Sequence, residues 1–385
     1  MKAGWNLREI GEAFQTVTGN TPPKSAKHYY GNDVPLVKPP ELTDGDVGTA
    51  SDGLSDSGAQ VARVAPEGSV LVSCIGNLGK IGLATRPVAF NQQINAIYPD
   101  PTLALPKFTF YQTLSPQFRE QLDALAAGTT VSIVNKSRFN SIKVPLPPLE
   151  EQQRIVAVLD DAFEGLARAR ENAEVNLKNA RELFESALFD LYEVKLADNS
   201  RSTLSEVCDL ISGQHIEAKD YNNGGVGIGY LTGPSDFGDV NPVVTKWTEK
   251  PKRTALSGDI LITVKGSGVG SVNIMNDDEL AIGRQLMAIR SKGIPMGYLF
   301  GFIRMQQRHF QDLSNGAAIP GISRGDVLDL KIPIPDSSVQ SKYVTYLADI
   351  EAYVDLAKSS YQAKLNDLAD LRQSLLQKAF AGELT

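Results

Sequence analysis

The sequence predicts an α+β chain: two mixed α/β lobes in pseudo-twofold repeat, each followed by a long helix, the two helices pairing as an antiparallel coiled coil. Three observations carry this reading. The segments IKVPLPPLEEQQRIVAVL (Ile142–Leu159) and LKIPIPDSSVQSKYVTYL (Leu330–Leu347) repeat each other at an offset of 188. Each passes from a proline-rich hinge into helical apolar periodicity. Upstream of each lies a glycine-rich, β-branched region whose pieces also recur.

The first lobe is assigned to 1–149 and its counterpart to 200–336. WNLREIGEAFQTVTG (Trp5–Gly19) corresponds to STLSEVCDLISG (Ser202–Gly213). GSVLVSCIGNLGKIG (Gly68–Gly82) corresponds to GDILITVKGSGVGSV (Gly258–Val272), each a β-branched run entering a glycine-rich turn. QINAI (Gln93–Ile97) matches QLMAI (Gln285–Ile289). The offset drifts from 194 to 188 along the lobes, as when loops change length on a retained scaffold.

Prolines bracket the start of each helix. Pro145, Pro147 and Pro148 forbid helix before Leu149, and Pro333 and Pro335 do the same before Asp336 and Ser337. Asp336 or Ser337 is the expected N-cap, and Gly382 the expected stop. The first helix is expected from about Glu150 to Tyr192, within a central segment 150–199 that ends in a linker around ADNSRS (Ala197–Ser202). Its apolar seam follows Ile155, Leu159, Leu166, Leu177, Phe184 and Leu191, with alanines between, at steps of three and four. In the C-terminal segment 337–385 the same offset gives Tyr343, Leu347, Val354, Leu365 and Leu375, with Arg372 as the one non-apolar position and Leu371 beside it. A doubled four-residue step in both helices is a stutter. Each helix would span roughly 65 Å at 1.5 Å per residue.

A chain of 385 residues exceeds one ordinary core. At 42% hydrophobic and 22% charged it is of globular type, and no apolar run reaches the roughly 20 residues of a membrane helix. The first residues lack a signal peptide's apolar core, so the cytoplasm is the expected compartment. Two cysteines, Cys74 and Cys208, are too few for a disulfide framework or a structural zinc site. The net charge of −7 is uneven: residues 1–149 carry +1, 150–199 carry −6, and 200–336 and 337–385 carry −1 each. The excess acid sits on the first helix, leaving near-neutral lobes.

Catalytic readings find little support. A DNA adenine methyltransferase needs an Asn/Asp-Pro-Pro-aromatic element, and Lys38-Pro39-Pro40-Glu41 has only the prolines. GNLGK (Gly76–Lys80) and GSGVG (Gly266–Gly270) are too short for a Walker A loop. Asp209 with Glu217 and Lys219 is no more than a chance likeness to a nuclease site. His28, His215 and His309 are scattered, and no nucleophile elbow occurs. The chain is therefore expected to be non-enzymatic and to hold no metal.

The repeated hinge and helix, with TGNTPPK (Thr18–Lys24), Tyr29, Tyr30 and VPLV (Val34–Val37), resemble the specificity subunit of Type I restriction-modification systems over essentially the whole chain. The second half departs from the pattern: Asp336-Ser337-Ser338-Val339 replaces the first half's Pro148-Leu149-Glu150-Glu151, and Gly213-Gln214-His215 stands where Gly-x-Thr-Pro is expected. The resemblance implies a DNA-recognition subunit whose two target-recognition lobes read a bipartite double-stranded target through the major groove. Half-sites read from one DNA face lie about 34–36 Å apart. It also implies two methyltransferase subunits using S-adenosylmethionine to methylate adenine, and restriction/translocase subunits using ATP and Mg, with no cofactor bound by this chain and no membrane partner.

Residue chemistry then selects DNA-contact candidates, Lys and Arg for phosphates and Arg, Lys, Asn and Gln for bases. In the first lobe these are Lys24, Lys27, Tyr29, Tyr30, Lys38, Lys80, Asn91, Gln92, Lys136 and Arg138. In the second they are Lys219, Tyr221, Lys246, Lys252, Arg253, Lys265, Arg284 and Arg324. Lys136 and Arg324 share the 188 offset. The competing reading is a protein-only coiled-coil scaffold or adaptor. It accounts for the helices and the acidic charge but leaves two loop-diverged lobes without a role.

Overall fold

The structure is a computed structural model and describes residues 4–126, 132–196, 199–238, 241–277, 279–314 and 320–384. Part of the expected linker, Ala197 and Asp198, lies outside the described residues. The chain divides into two compact units, one of residues 1–174 and 363–385, the other of 175–362. Each unit holds one lobe and one half of each long helix.

In the first unit, Asn6–Glu9 pairs antiparallel with Lys143–Leu146, clamping the opening strand to the proline hinge. The main sheet has the order Gln15–Thr18, Ile94–Tyr98, Val70–Ser73, Ile81–Ala84, Gly45–Val47. A second sheet orders Gly53–Leu54, Tyr30–Val37, Val88–Phe90, Val64–Ala65. Val70, Leu71 and Val72 are all fully buried, which explains a continuous β-branched run rather than alternation.

The second unit rebuilds this plan. Arg201–Thr203 pairs with Lys331–Pro333 at its hinge, and its main sheet is Cys208–Ser212, Leu286–Ser291, Ile260–Thr263, Val272–Ile274. The other sheet orders Trp247–Thr248, Ile228–Leu231, Glu279–Ile282, Thr254–Leu256. The repeat holds at the level of single bonds. Cys74 N–H donates to Gln93 O (2.7 Å), as Val264 N–H does to Gln285 O (2.8 Å). Val134 N–H donates to Cys74 O, as Ile322 N–H does to Val264 O, both at 2.9 Å.

The first long helix starts at Leu149, directly after Pro148, and runs to Phe189. Its continuation, Asp190–Lys195, is wound as a π-turn, so the expected α-helical end at Tyr192 lies in wider winding. Leu191 and Tyr192 are fully buried there, and the Tyr192 hydroxyl donates to Tyr298 O at 2.6 Å. The second long helix spans Ser337–Ala381. Gly382, at φ +81°, ends it: Glu383 N–H reaches Lys378 O (2.9 Å) and Gly382 N–H reaches Ala379 O (3.3 Å), a Schellman closure.

Helix pairing is antiparallel within each unit. In the first, Ile155 and Leu159, near the start of one helix, share a core with Leu376, Ala379 and Phe380, near the end of the other. In the second, Phe184, Leu188 and Leu191 meet Leu347 and Val354. The expected seam needs one correction. Leu376, not Leu375, is fully buried; Leu375 only flanks the core. Leu166, Leu177, Tyr343 and Leu365 are half-buried. Leu166 and Leu365 line a cleft of about 430 Å³ together with Phe163 and Arg372. Arg372 stays in the seam by laying its guanidinium over the Phe163 ring, 5.1 Å from the centroid.

Candidate nucleic-acid interface

Both units end their main sheet in the same way, and the second shows it most clearly. The strand Cys208–Ser212 runs into Gly213, where a Cβ would stand 2.2 Å from Gly283 O, so only glycine lets the two backbones approach. Beyond the intervening strand Leu286–Ser291, Ile260–Thr263 runs into Val264, which bonds both Gln285 and Ile322. Lys265 leaves this point into solvent. Arg284 sits in the turn Gly283–Leu286, closed by Leu286 N–H to Gly283 O at 2.9 Å. Ser323 caps the short helix Arg324–Leu328 by accepting from Asp326 N–H at 3.2 Å.

These pieces enclose a cleft of about 550 Å³ lined by Ser212, Lys265, Arg284, Ser323 and Arg324 over a floor of Val264, Leu286, Met287 and Ile322. Three of the eight candidates of this lobe thus converge on one concavity, and among the described residues no acidic side chain lines it. Arg324 is held in place: its guanidinium donates to Leu210 O and Ser212 Oγ, both at 2.8 Å. A positive, acid-free concavity attracts anions.

The first unit repeats the frame with milder charge. Gly19 approaches Asn91 O as Gly213 approaches Gly283 O, again leaving 2.2 Å for a Cβ. Lys80, Gln92 and Lys136 belong to the corresponding end of the sheet. Asn135, capping Lys136–Asn140 through Arg138 N–H (2.9 Å), replaces Ser323. Thr21 Oγ1 donates to Gln92 Oε1 at 3.1 Å, bringing the TGNTPPK segment alongside. Arg63, missed in the sequence, stands beside this segment: its guanidinium donates to Thr18 O, and its N–H to Asn20 Oδ1 at 2.7 Å. No local motif announces a contact between residues 45 apart in the chain.

Several other candidates, exposed or half-buried, are engaged within the unit. Lys38 pairs with Asp52, holding that carboxyl below its usual range with a further contribution from the charge of Lys24. Lys219 pairs with Glu217 (2.8 Å), Lys252 Nζ donates to His215 O (2.8 Å), and Arg138 donates to Leu125 O (3.1 Å). Lys246 lies over the Tyr221 ring at 5.7 Å. Exposed pairs of this kind are worth about 0–1 kcal/mol, so a phosphate exchanges with them readily. Arg253 is exposed, and its carbonyl accepts from Ile282 N–H next to the Arg284 turn. Lys27 is exposed and Tyr29 half-buried at the one-turn helix before the strand Tyr30–Val37.

Three candidates are engaged by packing within their unit. Asn91 is 7% exposed, with its amide turned to Gln93: Nδ2 donates to Gln93 Oε1 (3.0 Å) and Oδ1 accepts from Gln93 N–H (3.1 Å). Tyr30 packs beside Leu36 and Leu54 and donates its hydroxyl to Pro22 O at 2.6 Å. Tyr221 packs against Ile216 and Tyr230. Asn91 is thereby turned into the unit, while Tyr30 and Tyr221 stay half-buried.

Among the described residues no cluster of three or more His, Cys, Asp or Glu side chains is placed to hold a metal ion. No helix there is long and apolar enough to cross a membrane. Cys74 and Cys208 are buried and free, and burial pushes their thiols up to about 12 and about 11.

Comparison with known proteins places this geometry. The sequence is 28% identical over 243 residues to the putative type I restriction enzyme MjaX specificity subunit of Methanocaldococcus jannaschii, covering 59% of this chain and 56% of that one. It is 33% identical over 165 residues to the HindI specificity subunit of Haemophilus influenzae, covering 41% and 36%. These two matches thus span about half, or less, of the relatives' own length. The EcoKI specificity subunit of Escherichia coli is 21% identical over 99% of this chain and 89% of its own. Among solved structures, a chain from work on complex assembly and conformational transition of the type I R-M system superposes with TM-score 0.87 at 27% identity, covering 100% of this chain and 99% of that one. The HsdS subunit from Thermoanaerobacter tengcongensis gives TM-score 0.62 at 26% identity over 100% and 98%. The Type I restriction modification DNA specificity domain matches twice, over residues 2–177 and 198–366, so that each copy takes in one lobe, and the chain belongs to that family.

Proposed function

We propose that this chain is the DNA-reading subunit of a Type I restriction-modification complex, each unit reading one part of a split double-stranded target. The observation that carries the reading is the acid-free cleft bearing Lys265, Arg284 and Arg324, whose backbone frame recurs in the first unit beside Lys80, Gln92 and Lys136. Lysine and tethered arginine suit phosphates, which fix register, and side chains on turn crests suit base edges. The domain assignment follows: target-recognition domains over 1–149 and 200–336, joined by helices over 150–199 and 337–385.

The chain supplies recognition and not chemistry. Methyl transfer from S-adenosylmethionine and ATP- and Mg-dependent cleavage belong to two methyltransferase subunits and to restriction/translocase subunits docked on it, in the cytoplasm. The near-neutral lobes make the isolated chain a weak DNA binder, with much of the electrostatic attraction coming from partners. The test is to co-express the chain with the methyltransferase encoded beside it and to map N6-methyladenine across the host DNA. A split motif with a fixed gap is expected. A stable complex with no methylation would turn the reading to a protein-only scaffold.

A further inference from the structure

We infer that Gln92 and Arg284 are the paired base-reading residues of the two units, Gln92 selecting an adenine in one part of the target and Arg284 a guanine in the other. This rests on the DNA-reading role proposed above and adds which side chains read and what they choose.

The two residues occupy one structural position. Each is the second residue of a four-residue turn: Ile94 N–H closes on Asn91 O at 3.1 Å, and Leu286 N–H closes on Gly283 O at 2.9 Å. The third residue is glutamine in both, and its carbonyl anchors the neighbouring strand through Cys74 N–H or Val264 N–H. The fourth accepts from the glycine of the opening strand, Gly19 N–H to Ile94 O and Gly213 N–H to Leu286 O, both at 3.0 Å. The crest is therefore held from two sides while its second side chain is exposed. The backbone frame is constant while the presented group differs.

Their surroundings separate reading from anchoring. Arg324 commits donors to Leu210 O and Ser212 Oγ, a tether that suits it to anchoring a phosphate rather than to reading a base. Arg284 lines the same cleft, and among the described residues its side chain makes no hydrogen bond or ion pair, so its whole fork is available. That fork matches guanine O6 and N7. Gln92 accepts from Thr21 Oγ1, which orients its amide and leaves Nε2 and one Oε1 lone pair. Those two groups match adenine N7 and N6.

The experiment maps N6-methyladenine for complexes carrying the wild-type chain, R284Q, R284A or Q92R, with circular dichroism to establish the fold. In parallel, each complex selects DNA from libraries randomised across the motif. R284Q is expected to change one guanine to adenine in one part of the motif, shifting preference there by roughly 5- to 150-fold, with the other part and the gap unchanged. R284A is expected to relax the same position to all bases, and Q92R to make the mirror change in the other part. A wild-type map without a split motif would overturn the DNA-reading role itself. A split wild-type motif that R284Q and R284A leave unaltered would overturn this assignment alone. So would a uniform loss of binding to every library sequence, which is the signature of a phosphate contact.

Discussion

Gln152 and Gln340 hold the two proline hinges to their helices by the same bond. Each is buried in the first turns of its long helix, and each donates Nε2–H to the carbonyl of the proline five residues earlier, Pro147 at 2.9 Å and Pro335 at 2.8 Å. The bond stops the extended hinge and the helix from pivoting about each other, because pivoting would leave the proline carbonyl without its donor and the buried amide without its acceptor.

The two glutamines differ in how far their bonds reach. Gln152 also donates to Leu103 O (2.8 Å) and accepts from Leu105 N–H (2.9 Å), whereas Gln340 Oε1 is buried without a partner among the described residues. Removing Gln152 strands three backbone groups, and Q152A is expected to cost about 2–4 kcal/mol, against about 1 kcal/mol for Q340A. Thermal melts rank the two variants, and hydrogen exchange at the Leu105 amide localises the effect. Equal losses would mean that the extra bonds contribute nothing.

The hinge and the helix starts could be read in the sequence because proline geometry and apolar spacing are local and repeat at one offset of 188, and the lobe pieces because they recur in the same order while that offset drifts. Where side chains compete for one place, that reading fails. Leu375 and Leu376 are adjacent leucines, and spacing alone does not choose between them; the core around Phe108 and Phe380 takes Leu376. Asn91 and Gln92 are both polar turn residues. Only the fold turns the first inward to Gln93 and leaves the second on the crest. The partner of the Tyr30 hydroxyl, Pro22 O, is likewise set by the fold and by no local motif.

Arg372 is the seam position that broke the apolar pattern. Phe163 lies between it and Tyr111, whose ring meets Phe163 edge-on at 5.3 Å. Burial holds the guanidinium pKa below its ordinary value, which marks a desolvated cation. Leucine forfeits a cation–ring attraction of about 0.5–2 kcal/mol but removes the desolvation cost, so R372L should melt within about 1 kcal/mol of wild type. R372E sets a carboxylate against a ring face and should lose about 2–3 kcal/mol. If R372L proves the worse of the two, the arginine is held by a geometry beyond charge and packing.

The thiols give a prediction about pH. Alkylation follows the thiolate, and burial raises the native pKa of Cys74 to about 12 and of Cys208 to about 11, from an ordinary value of 9.0. Raised pKa values favour the neutral thiol, so at pH 8 the native protein should resist iodoacetamide, with Cys208 reacting first as pH climbs towards 11. In denaturant both should react at rates set by the ordinary value. Rapid native labelling of Cys74 at pH 8, measured by peptide mass, would contradict its burial.

Lys265 and Arg324 test the anchoring half of the proposed interface. Deleting one cation that neutralises a phosphate takes about one unit from the slope of log affinity against log salt. K265A and R324A in the partner-loaded complex should each flatten that slope by about one unit and weaken all sequences alike, because phosphates carry no sequence information. R324K keeps the charge but not the two-point tether to Leu210 O and Ser212 Oγ. It should therefore restore the slope without restoring full affinity, since a lysine must be ordered on binding where the tethered arginine already is. Titration of labelled DNA across a salt series separates the effects, and an unchanged slope in R324A would remove Arg324 from the contact face.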